Sequence, residues 1–109
     1  MMILTCVCVP HPGQEDEARA AALEVTKSSR DHEGLLGYLW NVDTATGELH
    51  LVEVHTGEDS VLNHIALTDL SRLGSAGTFK DIKVYGDAIS PKLRDTLDGF
   101  GEYQVFPQL

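Results

Sequence analysis

Hydrophobic and polar residues change period several times along this chain, and each change marks an element. Residues 2–9, MILTCVCV, are an apolar run rich in β-branched side chains, closed by Pro10-His11-Pro12-Gly13. That is a strand running into a turn. In GQEDEARAAALEVTKSSR the period becomes helical: Ala18, Ala21, Ala22 and Val25 share one face. Glu15, Asp16 and Glu17 occupy the first turn and Lys27 and Arg30 the last, the arrangement that the helix dipole favours. The stripe is made of small side chains, so this helix should lie close on a sheet. GLLGYLWNVDTATGELHLVEVH then reads as a hairpin, with strands at 35–42 and 48–55 around a loop at 43–47.

The first hairpin strand is apolar on both faces. Period 2 points Leu36, Tyr38, Trp40 and Val42 one way and Leu35 and Leu39 the other. A second helix follows, with a capping-box spacing at Thr56 and Asp59 and apolar positions from Val61 to Leu73. The Gly74-Ser75-Ala76-Gly77 run is expected to be a loop and residues 80–86 a strand. Ser90-Pro91 predicts a helix N-terminus and Gly99 its end, leaving EYQVFPQL as an edge strand limited by Pro107. The order is β-α-β-β-α-β with a short extra helix. It predicts a ferredoxin-like α+β fold: an antiparallel sheet with its helices on one face, in a single domain spanning 1–109. Helices cover only one face of such a sheet, and an apolar second face on so small a domain implies a partner. The simplest is a second copy, giving a homodimer packed sheet to sheet.

Composition narrows the function. The chain has 109 residues, 42% hydrophobic and 23% charged, with 8 basic against 17 acidic residues and a net charge of −9. That sign, without a basic cluster, argues against nucleic acid and anionic membranes as partners. The apolar opening is too short for a signal peptide or membrane span, and a cytoplasmic protein is expected. No phosphate-cradling glycine loop or Gly-x-Ser-x-Gly elbow is present. Cys6, Cys8 and His11 are only a partial metal-ligand set. Cys6 and Cys8 share a strand face about 6.5–7 Å apart, too far for a disulfide, and are expected to be buried free thiols.

Five histidines remain as candidate chemistry. His64 flanks Val61 and Ile65 on the second helix, a position suited to a pocket rim or to solvent. His50 and His55 lie on opposite faces of their strand. His55 shares its face with Glu53, and a mutually satisfied pair at the rim is expected there. His11 and His32, beside turns, are expected to be solvated. Tyr38 and Trp40 share a face and belong to core, interface or ligand wall.

These segments carry a resemblance. HPGQEDE after the first strand, EGLLGYLWNVD, LHLVEVHTGEDSVLNHI and IKVYGDAISPKLRDTLDGFG together resemble the antibiotic biosynthesis monooxygenase family of dimeric α+β barrels. Pro12, Gly13 and Glu15 match its helix-one opening, and Gly34 and Tyr38 its Gly-x-x-x-Tyr-like entry into strand two. Glu53 and His55 match its Glu-x-aromatic, and Asn63-His64-Ile65 its helix-two histidine context. Two departures stand out. His55 occupies a position where tryptophan is common, and the extension that often walls the pocket after helix two is missing. The resemblance implies a pocket between sheet and helices, where relatives oxidise aromatic polyketides or quinols with molecular oxygen and without flavin, haem or metal. It implies His64 as base, a cavity lined by Cys6, Tyr38, Trp40, Glu53 and His55, and a small aromatic or apolar ligand. The alternative is a non-catalytic binding or assembly module of the same fold.

Overall fold

In the computed structural model, which describes residues 1–109, the elements run β1 (Met2–Pro10), α1 (Glu15–Ser29), β2 (Leu35–Val42), β3 (Leu49–His55), α2 (Glu58–Leu67), α3 (Ser71–Ala76), β4 (Gly77–Gly86), α4 (Pro91–Asp98) and β5 (Tyr103–Pro107). The strands form one sheet in the order β2-β3-β1-β4-β5. The first four are antiparallel, as expected of a ferredoxin-like fold, but β5 pairs parallel to β4 and makes the sheet mixed. The cause is α4: a helix between two neighbouring strands returns the chain to the end it left, so the second strand runs parallel to the first. β5 holds the edge, where Pro107 removes no interior ladder bond.

The second helix is not continuous. Thr68 is extended (φ −100°, ψ 125°), and its hydroxyl donates to the His64 carbonyl at 2.5 Å. Asp69 then accepts from both the amide and the hydroxyl of Ser71, starting α3. The segment read as a loop at Gly74 is therefore helical through Ala76, and β4 begins at Gly77, three residues before the sequence placed it. The Thr56–Asp59 capping box is also absent: Gly57 occupies the N-cap of α2 without a side-chain bond. At α4 the expectation holds, because the Ser90 hydroxyl accepts from the Leu93 amide and Gly99 ends the helix.

Two bulges decide which way side chains point. Leu35 faces His55 and Gly37 faces Val54, so Leu36 is an extra residue in β2. Leu36 swings out to solvent, 62% exposed, while Leu35 joins Tyr38 and Trp40 on the helix side. The period-2 reading placed Leu36 and Leu35 the other way round because a bulge shifts parity by one. The second bulge is in β4 opposite Cys6, where Asp81 takes a positive φ of 52° and Ile82 turns inward.

The core lies between sheet and helices in two clusters. Met2, Leu4, Val61, Val84, Leu93 and Leu97 pack beneath α2 and α4. Cys8, Ala18, Ala21, Ala22, Leu49 and Leu73 pack beneath α1 and α3, with the alanine stripe bringing α1 close to the sheet as its sequence predicts. The opposite sheet face carries no helix. Register aligns Val54, Ile3, Tyr85 and Phe106 in one row and Leu39 with Val52 in the next. Tyr85 stacks on Phe106 at 5.0 Å, and Leu39 is 58% exposed.

Candidate active site

Where the two core clusters meet, the helix-side face of the sheet is not filled. The register sets two adjacent rows there: Tyr38, Glu53 and Leu4, then Trp40, Leu51 and Cys6. Above them stand His64 and Ile65 from α2 and Thr68 and Leu70 from the break that follows it. Phe79 and Phe100 meet edge to face at 6.3 Å and close one side. Leu70, Phe79 and Phe100 thus supply the wall that the missing extension left in question. The cavity holds about 70 Å³ and is largely apolar. One water needs about 10–15 Å³ on the same measure, so the space suits a single ring better than a fused polycycle.

The polar residues gather at one end. Glu53 is 9% exposed, and its Oε1 lies 2.8 Å from His55 Nε2 and 3.6 Å from His64 Nε2. His55 is fully buried behind Glu53 rather than on the cavity wall, and its Nδ1 lies 2.7 Å from the Ser60 hydroxyl. An ionised carboxylate only accepts, so His55 donates from Nε2 to Glu53; a neutral ring then accepts a hydrogen bond from the Ser60 hydroxyl at Nδ1. The expected rim pair is therefore an interior one, and His55 positions the carboxylate. The helix α2 is brought this near by Gly34. At φ +79° a Cβ there would sit 2.7 Å from Ser60 Cβ and from Thr56 Oγ1.

His64 is 4% exposed and packs its ring against Tyr38 at 5.1 Å and His55 at 5.7 Å. Its Nδ1 meets Nδ1 of His32 at 2.8 Å. His32, expected in solvent, is half-buried against the site instead. The correction arises because the turn between α1 and β2 folds over α2, a contact that no local pattern encodes. Burial lowers the pKa of His64 below its ordinary 6.5; Glu53 opposes the shift, while His32 and His55 add to it. The ring is a neutral base at pH 7.

Trp40 Nε1–H donates to the Tyr38 hydroxyl at 3.1 Å, which leaves the phenol's own proton free to donate. Burial, then the Glu53 charge, raises the Tyr38 pKa far above its ordinary value. Cys6 lines the cavity, and burial with the same carboxylate pushes it up to about 12, so it is a thiol rather than a nucleophilic thiolate. Cys8 is a fully buried free cysteine in the α1 cluster. Of the residues proposed for the site, Cys6, Tyr38, Trp40, Glu53 and His64 converge on one cavity. His50, Asn41 and His11 are exposed, and Tyr85 sits on the outer face. At the hairpin, Asp43, Glu48 and His50 bring ligand-type atoms within 4.8 Å of one another. Glu48 already binds Lys80 Nζ at 2.8 Å and Asp43 holds the Ala45 amide, which makes a solvated turn network.

No protein-family model matches the chain, and no curated protein matches it in sequence. Solved structures do match in shape. MupZ from Pseudomonas fluorescens superposes with a TM-score of 0.74 at 16% identity, covering 99% of this chain and 89% of that one. SnoaB, a cofactor-independent oxygenase from Streptomyces nogalater, gives 0.67 at 11% identity over 83% and 95%. A candidate antibiotic biosynthesis monooxygenase from Deinococcus radiodurans gives 0.62 at 20% identity over 83% and 97%. The fold is thus the α+β fold of the antibiotic biosynthesis monooxygenases, as the sequence resemblance implied.

Proposed function

We propose that this protein is a cofactor-independent monooxygenase of a small, electron-rich aromatic such as a single-ring quinol. The observation that carries the proposal is one apolar cavity holding a neutral base, His64, beside a carboxylate, Glu53, and a hydroxyl donor, Tyr38. The chemistry is proton transfer followed by reduction of molecular oxygen by the substrate's own electrons. His64 takes a proton from the substrate, and Glu53 stabilises the imidazolium. Tyr38 donates to the phenolate oxygen. The anion passes electrons to molecular oxygen and forms a C–O bond. The peroxide anion recovers a proton, and loss of water leaves a carbonyl; one oxygen atom enters the product and the other leaves as water. Apolar walls serve this sequence by excluding water from the anion.

The apolar outer face supports a homodimer packed sheet to sheet, with the ligand held inside each protomer.

Oxygen uptake over a panel of hydroquinones and naphthoquinols tests the activity. The expected result is consumption by the parent that falls roughly 10²–10⁴-fold in His64→Ala, the usual share of a general base. A quinol that raises the melting temperature without oxygen consumption points instead to a binding module. Equal rates in parent and variant remove His64 from the mechanism.

A further inference from the structure

A buried base takes the substrate's proton before oxygen has added, and it can pass that proton to solvent if the peroxide anion later draws its own from water. His64 Nε2 has no hydrogen-bond partner within the protein, only Glu53 at 3.6 Å, and no buried side-chain nitrogen or oxygen lacks a partner. Nε2 therefore opens onto the cavity. Its other nitrogen is occupied, 2.8 Å from His32 Nδ1. By the same accounting His32 Nε2 is accessible, and His32 itself is only half-buried, on the turn after α1. The two rings stand at 61° with centroids 5.0 Å apart, an edge contact with the nitrogens aligned rather than a stack.

Resting on the proposed role of His64 as base, we propose that His32 and His64 form a two-imidazole path carrying the substrate's proton from the cavity to solvent. With both rings neutral, the nitrogen-to-nitrogen bond requires one donor and one acceptor. In the competent state His64 carries its proton on Nδ1 and donates it to His32 Nδ1, while His32 carries its own on Nε2. A substrate proton arrives at His64 Nε2. The Nδ1 proton then crosses to His32, and His32 releases the Nε2 proton to water. One proton enters, one leaves, and no electrons move. Tautomerisation of both rings restores the starting state.

The groups facing His64 favour this direction. Glu53 and His55 face it from β3, Tyr38 from β2 and His32 from the turn, with Cys6 of β1 across the cavity. Glu53 holds the imidazolium only transiently, because burial and the neighbouring imidazoles disfavour the charge. Glu53 lies on the inner side of His64 and half-buried His32 on the outer side, so the second ring offers a step toward the surface.

His32→Gln tests the path, because an amide keeps a hydrogen bond to His64 but cannot take a proton at one atom and lose it from another. The first measurement needs no substrate: exchange of the His64 ring proton with water, followed by nitrogen-resolved NMR of the folded parent and variant. The proposal expects exchange about tenfold slower or more in His32→Gln. It also expects faster exchange in His32→Ala on adding free imidazole. Exchange as fast in His32→Gln as in the parent overturns the path, whatever the protein catalyses. With a quinol that the parent oxidises, His32→Gln should lower kcat with KM unchanged, and imidazole should restore it in His32→Ala. An unchanged kcat, or a rise in KM alone, overturns the path as well. If the parent oxidises nothing, the oxygenase proposal fails and the exchange measurement still decides this one.

Discussion

Glu53 acts by its charge on three groups that line the cavity with it. Its charge raises the Tyr38 and Cys6 pKa values and works against the burial that lowers His64. The lowered His64 pKa has a consequence for stability. The unfolded chain binds the histidine proton near pH 6.5, while the folded chain resists it until a lower pH. Stability from this site is therefore full above pH 6.5 and is lost as the pH falls through the folded value. The unfolding midpoint in urea should drop on acidification below pH 6.5, before the depressed carboxylates Asp43 and Asp69 begin to protonate. In Glu53→Gln the opposing charge is gone, so the His64 midpoint should fall further and the loss should extend to lower pH. Histidine NMR and urea titration check both; a His64 midpoint that rises in the variant would refute the electrostatic account. At this scale the sequence indicated Glu53, His55 and Tyr38 by residue type and strand parity, and the family resemblance added His64 and Cys6. It could not reveal His32, whose only signal was a polar position beside a turn.

At the scale of elements, the site depends on how near α2 approaches the sheet. Gly34 lets Ser60 sit against the backbone, Ser60 holds His55, and His55 holds Glu53. Gly34→Ala would add a left-handed cost of about 1–2 kcal/mol to a contact that has no room for a methyl group. The variant should lose at least that much stability by urea denaturation, and the His55 ring signals should shift. A loss below about 0.5 kcal/mol would show that α2 can slide away at little cost. Residues 35–42 were legible as a strand, yet its parity failed at Leu36 because a bulge is fixed by pairing with β3. The helix break at Thr68 was hidden for a similar reason. Asp69 and Thr68 have alternative bonding partners, and the choice between one helix and two depends on what α3 covers, here Leu73 and Ala76 beneath α1. The Ser90-Pro91 start was legible because capping is local, completed within three residues by the Leu93 amide.

For the whole molecule, the face of the sheet without helices exposes a set of apolar side chains. Leu39, Val52, Tyr85 and Phe106 are each more than a third exposed and adjoin in register. Sedimentation equilibrium at micromolar concentration should give a mass twice the 11.9 kDa chain. A Val52→Lys, Tyr85→Lys double substitution should return it to a monomer, since it would place two charges per protomer on the apolar face proposed to pair. A monomeric parent would leave this face for another partner. No helix is long and apolar enough to cross a membrane.

The sequence by itself determined the strands and their order and the helices α1 and α4, because periodicity, caps and turn residues act over a few positions. It also determined that the sheet would be apolar on both faces, since that follows from composition within single strands. Tertiary structure alone decided the parallel pairing of β5, the parity on either side of each bulge, and the cavity left between two core clusters. It alone brought His32 to His64 and buried Glu53 with His55. Those outcomes rest on contacts between residues far apart in the chain, whose energies depend on how neighbouring elements pack and cannot be read one segment at a time.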